Sequence, residues 1–268
     1  MIAVRNGVEC KLCSRGGASD DEMAEIPSYL GYYAVGGQVR LVVSYSSYTE
    51  EYDFSGTALC AKEETLPSPV LLAHQSEHCA CLVTNESVRV VAPSPFLHAL
   101  SAPIQLAAAD GQFIACASRN HIHVLRVESD RVETAGEAGL EFDASCVCVK
   151  ALAGGCLVVV GEWVTNALHF FTVTDAGMAQ CASMALESTV TSCVVVEVAS
   201  EESRPRFLVA SRNDGVLQIL RQDGAQWLEE KRFRGSALPG RCVRRSADTV
   251  LCVGEKSWLL EFKNHTWL

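Results

Sequence analysis

Apolar and polar positions follow one pattern that occurs six times along this chain. Each repeat begins with an apolar run, continues through a short polar turn, and ends with a run in which apolar and polar residues alternate. Two such runs joined by a short turn predict a β-hairpin. The predicted hairpins begin at Leu41, His78, Gln112, Cys156, Arg206 and Thr249.

The spacing of the hairpins indicates how they assemble. Successive hairpins start 37, 34, 44, 50 and 43 residues apart, a spacing that falls around the roughly 40–50 residues of a four-stranded propeller blade. The 268 residues can bury a large core, and this regular repeat fits one domain better than two. We therefore predict an all-β fold, with a single β-propeller domain over residues 1–268.

We expect the two strands of each hairpin to differ in position. The first strand is apolar on both faces, as in residues 157–160, which is typical of a strand buried between neighbouring blades. The second strand alternates, as in residues 216–220. We expect the first strand to lie near the propeller axis and the second to lie nearer the rim.

Charge and hydropathy narrow the possible partners. The formal net charge is −10, and lysine and arginine are scattered except at Arg241, Arg244 and Arg245. A surface that tracks phosphates needs clustered positive charge, so we do not expect direct nucleic-acid contact. The sequence also has no run of about 18 or more apolar residues. We therefore expect no membrane partner.

The chain contains thirteen cysteines, which could bind a metal or take part in redox chemistry. Cys79 and Cys81 are two residues apart, and so are Cys146 and Cys148, which puts each pair on one face of a strand, where cysteine packs as a small hydrophobe. A zinc knuckle or a redox motif needs a spacing and context that these pairs lack. Cys10 and Cys13 are the best candidates for a reactive pair. Many unpaired cysteines indicate a reducing compartment, the cytosol or nucleus.

No motif in the sequence predicts catalysis. There is no nucleophile elbow, zinc-protease motif, phosphate-binding loop or dinucleotide fingerprint. His121-x-His123 lies on a predicted strand, where such a pair is more typical of exposed or hydrogen-bonded histidines than of metal ligands. We expect no enzyme activity, no catalytic residue, no cofactor and no metal.

The order of several short stretches resembles one family of propellers. The family contains the large subunit of the damaged-DNA-binding complex, subunit 3 of splicing factor 3b, and the large subunit of the cleavage and polyadenylation specificity factor. The stretches that carry the resemblance are Val4-Arg5-Asn6-Gly7-Val8, Glu25-Ile26-Pro27 followed by Gly31, Leu41-Val42-Val43-Ser44-Tyr45, Asn85-Glu86-Ser87-Val88-Arg89-Val90-Val91, Val160-Gly161-Glu162-Trp163 and Asn213-Asp214-Gly215-Val216-Leu217.

The chain is similar to the middle propeller of that family, and the closest resemblance is to the damaged-DNA-binding large subunit. Lys256-Ser257-Trp258-Leu259 is more similar to the splicing factor. The family's middle propeller has seven blades within a much longer chain. The resemblance therefore implies that these residues are a segment of a multi-propeller protein, with about six blades of a seven-bladed ring. The alternative is a ring that divergent blades close within this chain.

The resemblance also implies a partner and a site. The family's middle propeller docks a cullin, and Asp143 and Trp163 are similar in position to its cullin-facing acidic residue and tryptophan. Glu162 stands where the family is apolar, and Val164 and Thr165 replace a more polar pair. On this basis the protein is expected to be both nuclear and cytoplasmic.

Trp163 is a candidate for protein binding on physical grounds as well. It follows a glycine at the end of an apolar run, which places it in a strand-connecting turn. An exposed aromatic residue in a turn is typical of an interface anchor. The alternative is that the ring folds back as a plug between blades.

Three classes of function remain open at this point. The first is a non-enzymatic scaffold, the adaptor propeller of a cullin-RING ubiquitin ligase linked to the DNA damage response. The second is a structural subunit of an RNA-processing complex with spliceosomal protein partners. The third is an enzyme with a cysteine or metal centre.

Overall fold

The structure is a computed structural model of the chain. It describes residues 2–5, 8–11, 28–55, 58–66, 68–77, 79–198, 205–234, 238–246, 248–255 and 257–262. The family stretch at 25–27 and Cys13, His78 and Lys256 lie outside these residues, and the Cys10 side chain is not described. Within the described residues the regular secondary structure is entirely β.

The fold is an all-β propeller with six blades, as predicted, and the chain divides into two compact units. The first unit comprises residues 1–103 and 128–131. It contains a two-stranded hairpin, blade 1 and blade 2. The strands are β1 (Ile2–Arg5) and β2 (Val8–Lys11); β3 (Tyr29–Val35), β4 (Gln38–Ser44), β5 (Thr49–Ser55) and β6 (Ala58–Leu66) in blade 1; β7 (Val70–Gln75), β8 (Ala80–Thr84), β9 (Ser87–Ala92) and β10 (Phe96–Ala99) in blade 2.

The second unit comprises residues 104–127 and 132–268 and contains blades 3 to 6. Blade 3 consists of β11 (Leu106–Asp110), β12 (Phe113–Ala117), β13 (His121–Val127) and β14 (Val132–Gly139); blade 4 of β15 (Ala144–Leu152), β16 (Gly155–Glu162), β17 (Ala167–Thr174) and β18 (Gly177–Ala185); blade 5 of β19 (Val190–Glu197), β20 (Arg206–Arg212), β21 (Val216–Asp223) and β22 (Gln226–Arg234); blade 6 of β23 (Arg241–Ser246), β24 (Thr249–Val253) and β25 (Trp258–Glu261).

Every blade is an antiparallel meander, and the six predicted hairpins are confirmed. They form β4–β5, β8–β9, β12–β13, β16–β17, β20–β21 and β24–β25, the second and third strands of successive blades.

The expected position of the axis is wrong by one strand. Within the second unit, β11 contacts β15, β15 contacts β19, and β19 contacts β23, so the first strand of each blade is the innermost. The strands that the pattern placed at the axis are second in each sheet. They are apolar on both faces because the neighbouring blades cover both, and all eight residues of β16 are buried.

The core of the second unit lies between its blades, and β16 supplies both sides of it. Leu157 and Val159 pack toward blade 5, whereas Val158 and Val160 pack toward blade 3. Trp227 of blade 5 stacks on Phe170 of blade 4 at a centroid distance of 4.8 Å, so it belongs to the core between these blades.

The expectation that cysteines act as small hydrophobes is confirmed for both of these pairs. Cys79, Cys81, Cys146 and Cys148 are all buried, and none of the four forms a disulfide. Among the described residues no helix is long and apolar enough to cross a bilayer.

Candidate protein-docking surface

Trp163 begins the turn between β16 and β17 in blade 4. The turn reverses through Asn166, which adopts a left-handed φ of 58°, a conformation that asparagine tolerates better than most residues. The Thr189 hydroxyl donates to the Trp163 carbonyl at 3.2 Å and also lies 2.5 Å from Asn166 Oδ1. Because Thr189 precedes the first strand of blade 5, two blades fix the backbone of this turn.

The structure brings the two predicted site residues together. The Trp163 backbone N–H donates to the Asp143 carbonyl at 3.2 Å. Asp143 lies between β14 and β15, and its carboxylate is 3.4 Å from Arg119, in the turn between β12 and β13. We call Arg119, Asp143, Trp163 and Val164 the Trp163 patch.

The Trp163 patch is accessible to solvent. Trp163 is 48% exposed and Val164 82% exposed. The side chains of Arg119 and Asp143 are 81% and 55% exposed. Half-exposure of the indole favours an anchor over a plug packed between blades, and docking through these residues stays a prediction.

Glu162 and His169 form a pair behind the turn that the sequence analysis missed. Both side chains are largely buried, with His169 Nε2 3.0 Å from Glu162 Oε2, and the imidazole stacks on Phe142 at 4.2 Å. Burial alone would raise the pKa of Glu162, but hydrogen bonds from Thr165 and His169 hold it below its ordinary value. The hydrogen bonds therefore stabilise the ionised form of the Glu162 carboxylate. Only the register of β16 with β17 brings the two residues together.

A second polar network lies at the end of blade 5. The Arg212 side chain is 2% exposed, and it contacts Asp214 at 2.7 Å and Glu187 at 3.1 Å. Hydrogen bonds from Arg232 and Arg212 lower the pKa of Glu187. Arg212 ends β20, and its ion pairs hold the turn that follows against the loop before β19.

Asp110 forms a third network, at the turn between β11 and β12. Its carboxylate accepts from Lys150 Nζ at 2.9 Å and from the Ala151 N–H at 2.8 Å, and it contacts Arg244 of blade 6. Burial alone would raise the pKa of Asp110, but the hydrogen bonds and charges of Arg244 and Lys150 lower it. Part of the arginine cluster noted in the sequence thus stabilises the fold.

The histidine pair on β13 has a partner that the sequence did not reveal. The His121 and His123 rings are 4.7 Å apart, and His123 Nδ1 lies 3.6 Å from Glu137 Oε2 on β14. Burial and the neighbouring His121 lower the pKa of His123, although the charge of Glu137 opposes them. Within the described part of the chain, this is the one group of three or more histidine, cysteine and acidic side chains close enough to share a metal ion.

Comparison with known proteins supports the fold but does not identify a function or a family. No family model matches the chain, and no curated protein does. The crystal structure of the computationally designed protein Ika8 is similar, with a TM-score of 0.60 over 92% of this chain and 74% of Ika8. The two are 11% identical in sequence. That similarity concerns the fold alone.

Proposed function

We propose that the chain is a non-enzymatic scaffold that docks a protein partner through the Trp163 patch. A β-propeller fits a protein-interaction platform, since its blades hold turns rigidly at one surface. The observation that carries the proposal is the half-exposed Trp163, 48% accessible on a turn whose backbone two blades fix.

The patch has the chemistry of an interface centre with a polar edge. Trp163 and Val164 offer adjacent apolar surface, and tryptophan is among the residues that most often dominate binding energy. Asp143 and Arg119 supply opposite charges beside it. Charges at the edge of an interface set the orientation and speed of association more than the affinity.

For the partner we propose a cullin-type scaffold, with the chain as adaptor propeller of a ubiquitin ligase linked to the DNA damage response. The support is the family resemblance together with the placement of Asp143 beside Trp163. An affinity purification from cells tests it by scoring cullins against spliceosomal proteins. Recovery of spliceosomal proteins without a cullin would instead identify a structural subunit of an RNA-processing complex.

The docking residue itself is tested by Trp163→Ala. We expect the partner's binding free energy to weaken by roughly 1–4 kcal/mol, the range for a tryptophan anchor, with little change in the melting temperature. Asp143→Ala should weaken the same partner to a smaller degree. Binding by calorimetry and melting by scanning calorimetry, measured on the same samples, give both values.

Leu228→Ala is the matched control, because Leu228 is 43% exposed on β22 and outside the patch. It should leave binding unchanged. A Trp163→Ala protein that melts several degrees lower and loses all partners alike would identify Trp163 as a plug between blades and refute the docking role.

A further inference from the structure

Three side chains of blade 3 form a cluster that the proposed scaffold function does not use. His121 and His123 alternate along β13 and therefore project from the same face of the strand. Glu137 on β14 pairs directly with His123 in the antiparallel register. The register shift between Val124 and Leu125 contributes to this alignment, because without it a different residue of β14 would lie opposite His123.

The ligand atoms of the three residues converge. One nitrogen from each imidazole and one carboxylate oxygen all lie within 4.8 Å of one another. Tetrahedral zinc, with bonds of about 2.0–2.1 Å, places its ligands about 3.4 Å apart. The 3.6 Å between His123 Nδ1 and Glu137 Oε2 is close to that value. Where the ligand atoms lie up to 4.8 Å apart, side-chain rotation must bring them about an ångström closer. The Glu137 side chain is 64% exposed, so it has room to rotate.

The space that an ion needs is also present. Gly139 pairs with His121 across the strands, and a methyl group placed on it would meet no atom within 4 Å. The position opposite His121 therefore holds no side chain, and water can complete the coordination of an ion held by three protein ligands.

We propose that His121, His123 and Glu137 bind a zinc ion. Two imidazoles and one carboxylate are a donor set that zinc takes in proteins, whereas magnesium and calcium prefer oxygen ligands alone. The bound ion would join β13 to β14 at the outer side of blade 3.

Titration of the metal-free chain with Zn²⁺ in a calorimeter tests the proposal. We expect one ion to bind at this site and Glu137→Gln to weaken its affinity by tenfold or more, since even residues that only support a ligand typically contribute 10–100-fold. His121→Ala should have an effect at least as large. Zn²⁺ should raise the melting temperature of the wild type but not of either variant.

Two control variants make the same substitutions, glutamate to glutamine and histidine to alanine, outside the proposed site. Glu141→Gln alters an exposed carboxylate close in sequence, and His98→Ala alters a histidine on β10. Both should bind zinc as the wild type does. Glu137→Gln keeps the size of an exposed side chain, so its result does not depend on a risk of misfolding.

Cobalt(II) separates this site from the cysteines. At the proposed site Co²⁺ should give the visible bands of nitrogen and oxygen ligands without sulfur-to-cobalt charge transfer. Strong charge-transfer bands, or an unchanged zinc affinity in Glu137→Gln and His121→Ala, would overturn the proposal.

Discussion

At the scale of single residues, Asp110 shows how this protein keeps a buried carboxylate ionised. Its side chain is only 7% exposed. The carboxylate contacts the side chains of Lys150 and Arg244 and accepts a hydrogen bond from the Ala151 N–H. An isolated buried carboxylate would take up a proton, since burial disfavours the charged form. Two cations and a backbone donor reverse that preference, so the charge stabilises the folded chain.

Asp110 therefore makes stability depend on pH. Its folded pKa lies below the unfolded value of about 3.9, so the stabilisation is complete above that value and is lost as the pH falls through the folded pKa. We expect Asp110→Asn to lower the free energy of unfolding at pH 7 by up to about 3–5 kcal/mol. The difference from wild type should shrink toward pH 2, as urea titrations at several pH values will show.

Asp175→Asn is the control for this prediction, because the Asp175 carboxylate is 91% exposed although it faces Arg126 at 3.4 Å. It should change stability little at any pH. A loss of stability in Asp110→Asn that is the same at pH 7 and pH 2 would show that charge plays no part.

Burial also controls the reactivity of the thiols. It raises the pKa of Cys116 and of Cys156 to about 12, because the thiolate is poorly solvated there. Two thiol pairs are in hydrogen-bond contact without a disulfide, with Sγ atoms 3.3 Å apart for Cys242 and Cys252 and 3.7 Å apart for Cys146 and Cys193. Of the ten cysteines whose side chains the structure describes, only Cys181 is exposed.

We expect alkylation without reductant to modify Cys181 of the native protein first among these ten. The other nine should react only after denaturation, as free thiols. Peptide mass spectrometry before and after denaturation measures both. Stoichiometric disulfides at either close pair would contradict the packing role of these cysteines and the reducing compartment inferred from them.

At the scale of elements, the second strand of each blade packs against the neighbouring blades. Gly161 in β16 lies where this packing is especially close. A methyl group at Gly161 would lie 2.6 Å from Ser145 Oγ and 2.8 Å from Cys146 Sγ. The absence of a side chain lets Ser145 donate to the Val190 carbonyl of blade 5 at 2.7 Å. Contact between blades 4 and 5 thus depends on this glycine.

Gly161→Ala should consequently destabilise the fold by about 1–3 kcal/mol, the usual cost of overpacking. Gly139→Ala, where a methyl group would meet nothing within 4 Å, serves as its control and should change little. Thermal melts of the two variants suffice, and equal melting temperatures would refute the packing role of Gly161.

Elements differ in how well the sequence predicts them, for a physical reason. The hairpin strands were predicted because burial between blades demands apolar residues, as throughout β16. The outer strands β14 and β18 are largely exposed and rich in small and polar residues, so no periodic pattern marks them. The innermost strands have a weaker pattern for another reason: β15 contains both Lys150 and the buried Cys146, because one end faces polar partners.

The site was predictable to the extent that it depends on local sequence. The run Gly161-Glu162-Trp163 after an apolar stretch indicates an exposed turn, and Trp163 lies in one. The pairs Glu162 with His169 and His123 with Glu137 depend on strand register. A bulge sets the register of β13 with β14, and its position is not visible in the pattern of apolar residues.

At the scale of the whole molecule, neighbouring blades are stabilised by the same kind of contact. Each core cluster of the second unit joins two blades that are consecutive in sequence. Stability in such an arrangement is built from similar interfaces between neighbours, as in other repeat proteins. The turns at the blade ends carry little of this packing, which leaves residues such as Trp163 available for binding.

The contact between Asp110 and Arg244 is different in kind, because it joins residues 134 positions apart. Strand pairing within a blade closes short loops, whereas this ion pair closes a loop that spans blades 4 and 5, at a larger entropic cost. We therefore expect the contact to form late in folding, after the intervening blades are in place. On that expectation, the pairing of Asp110 with Arg244 accompanies the completion of the second unit.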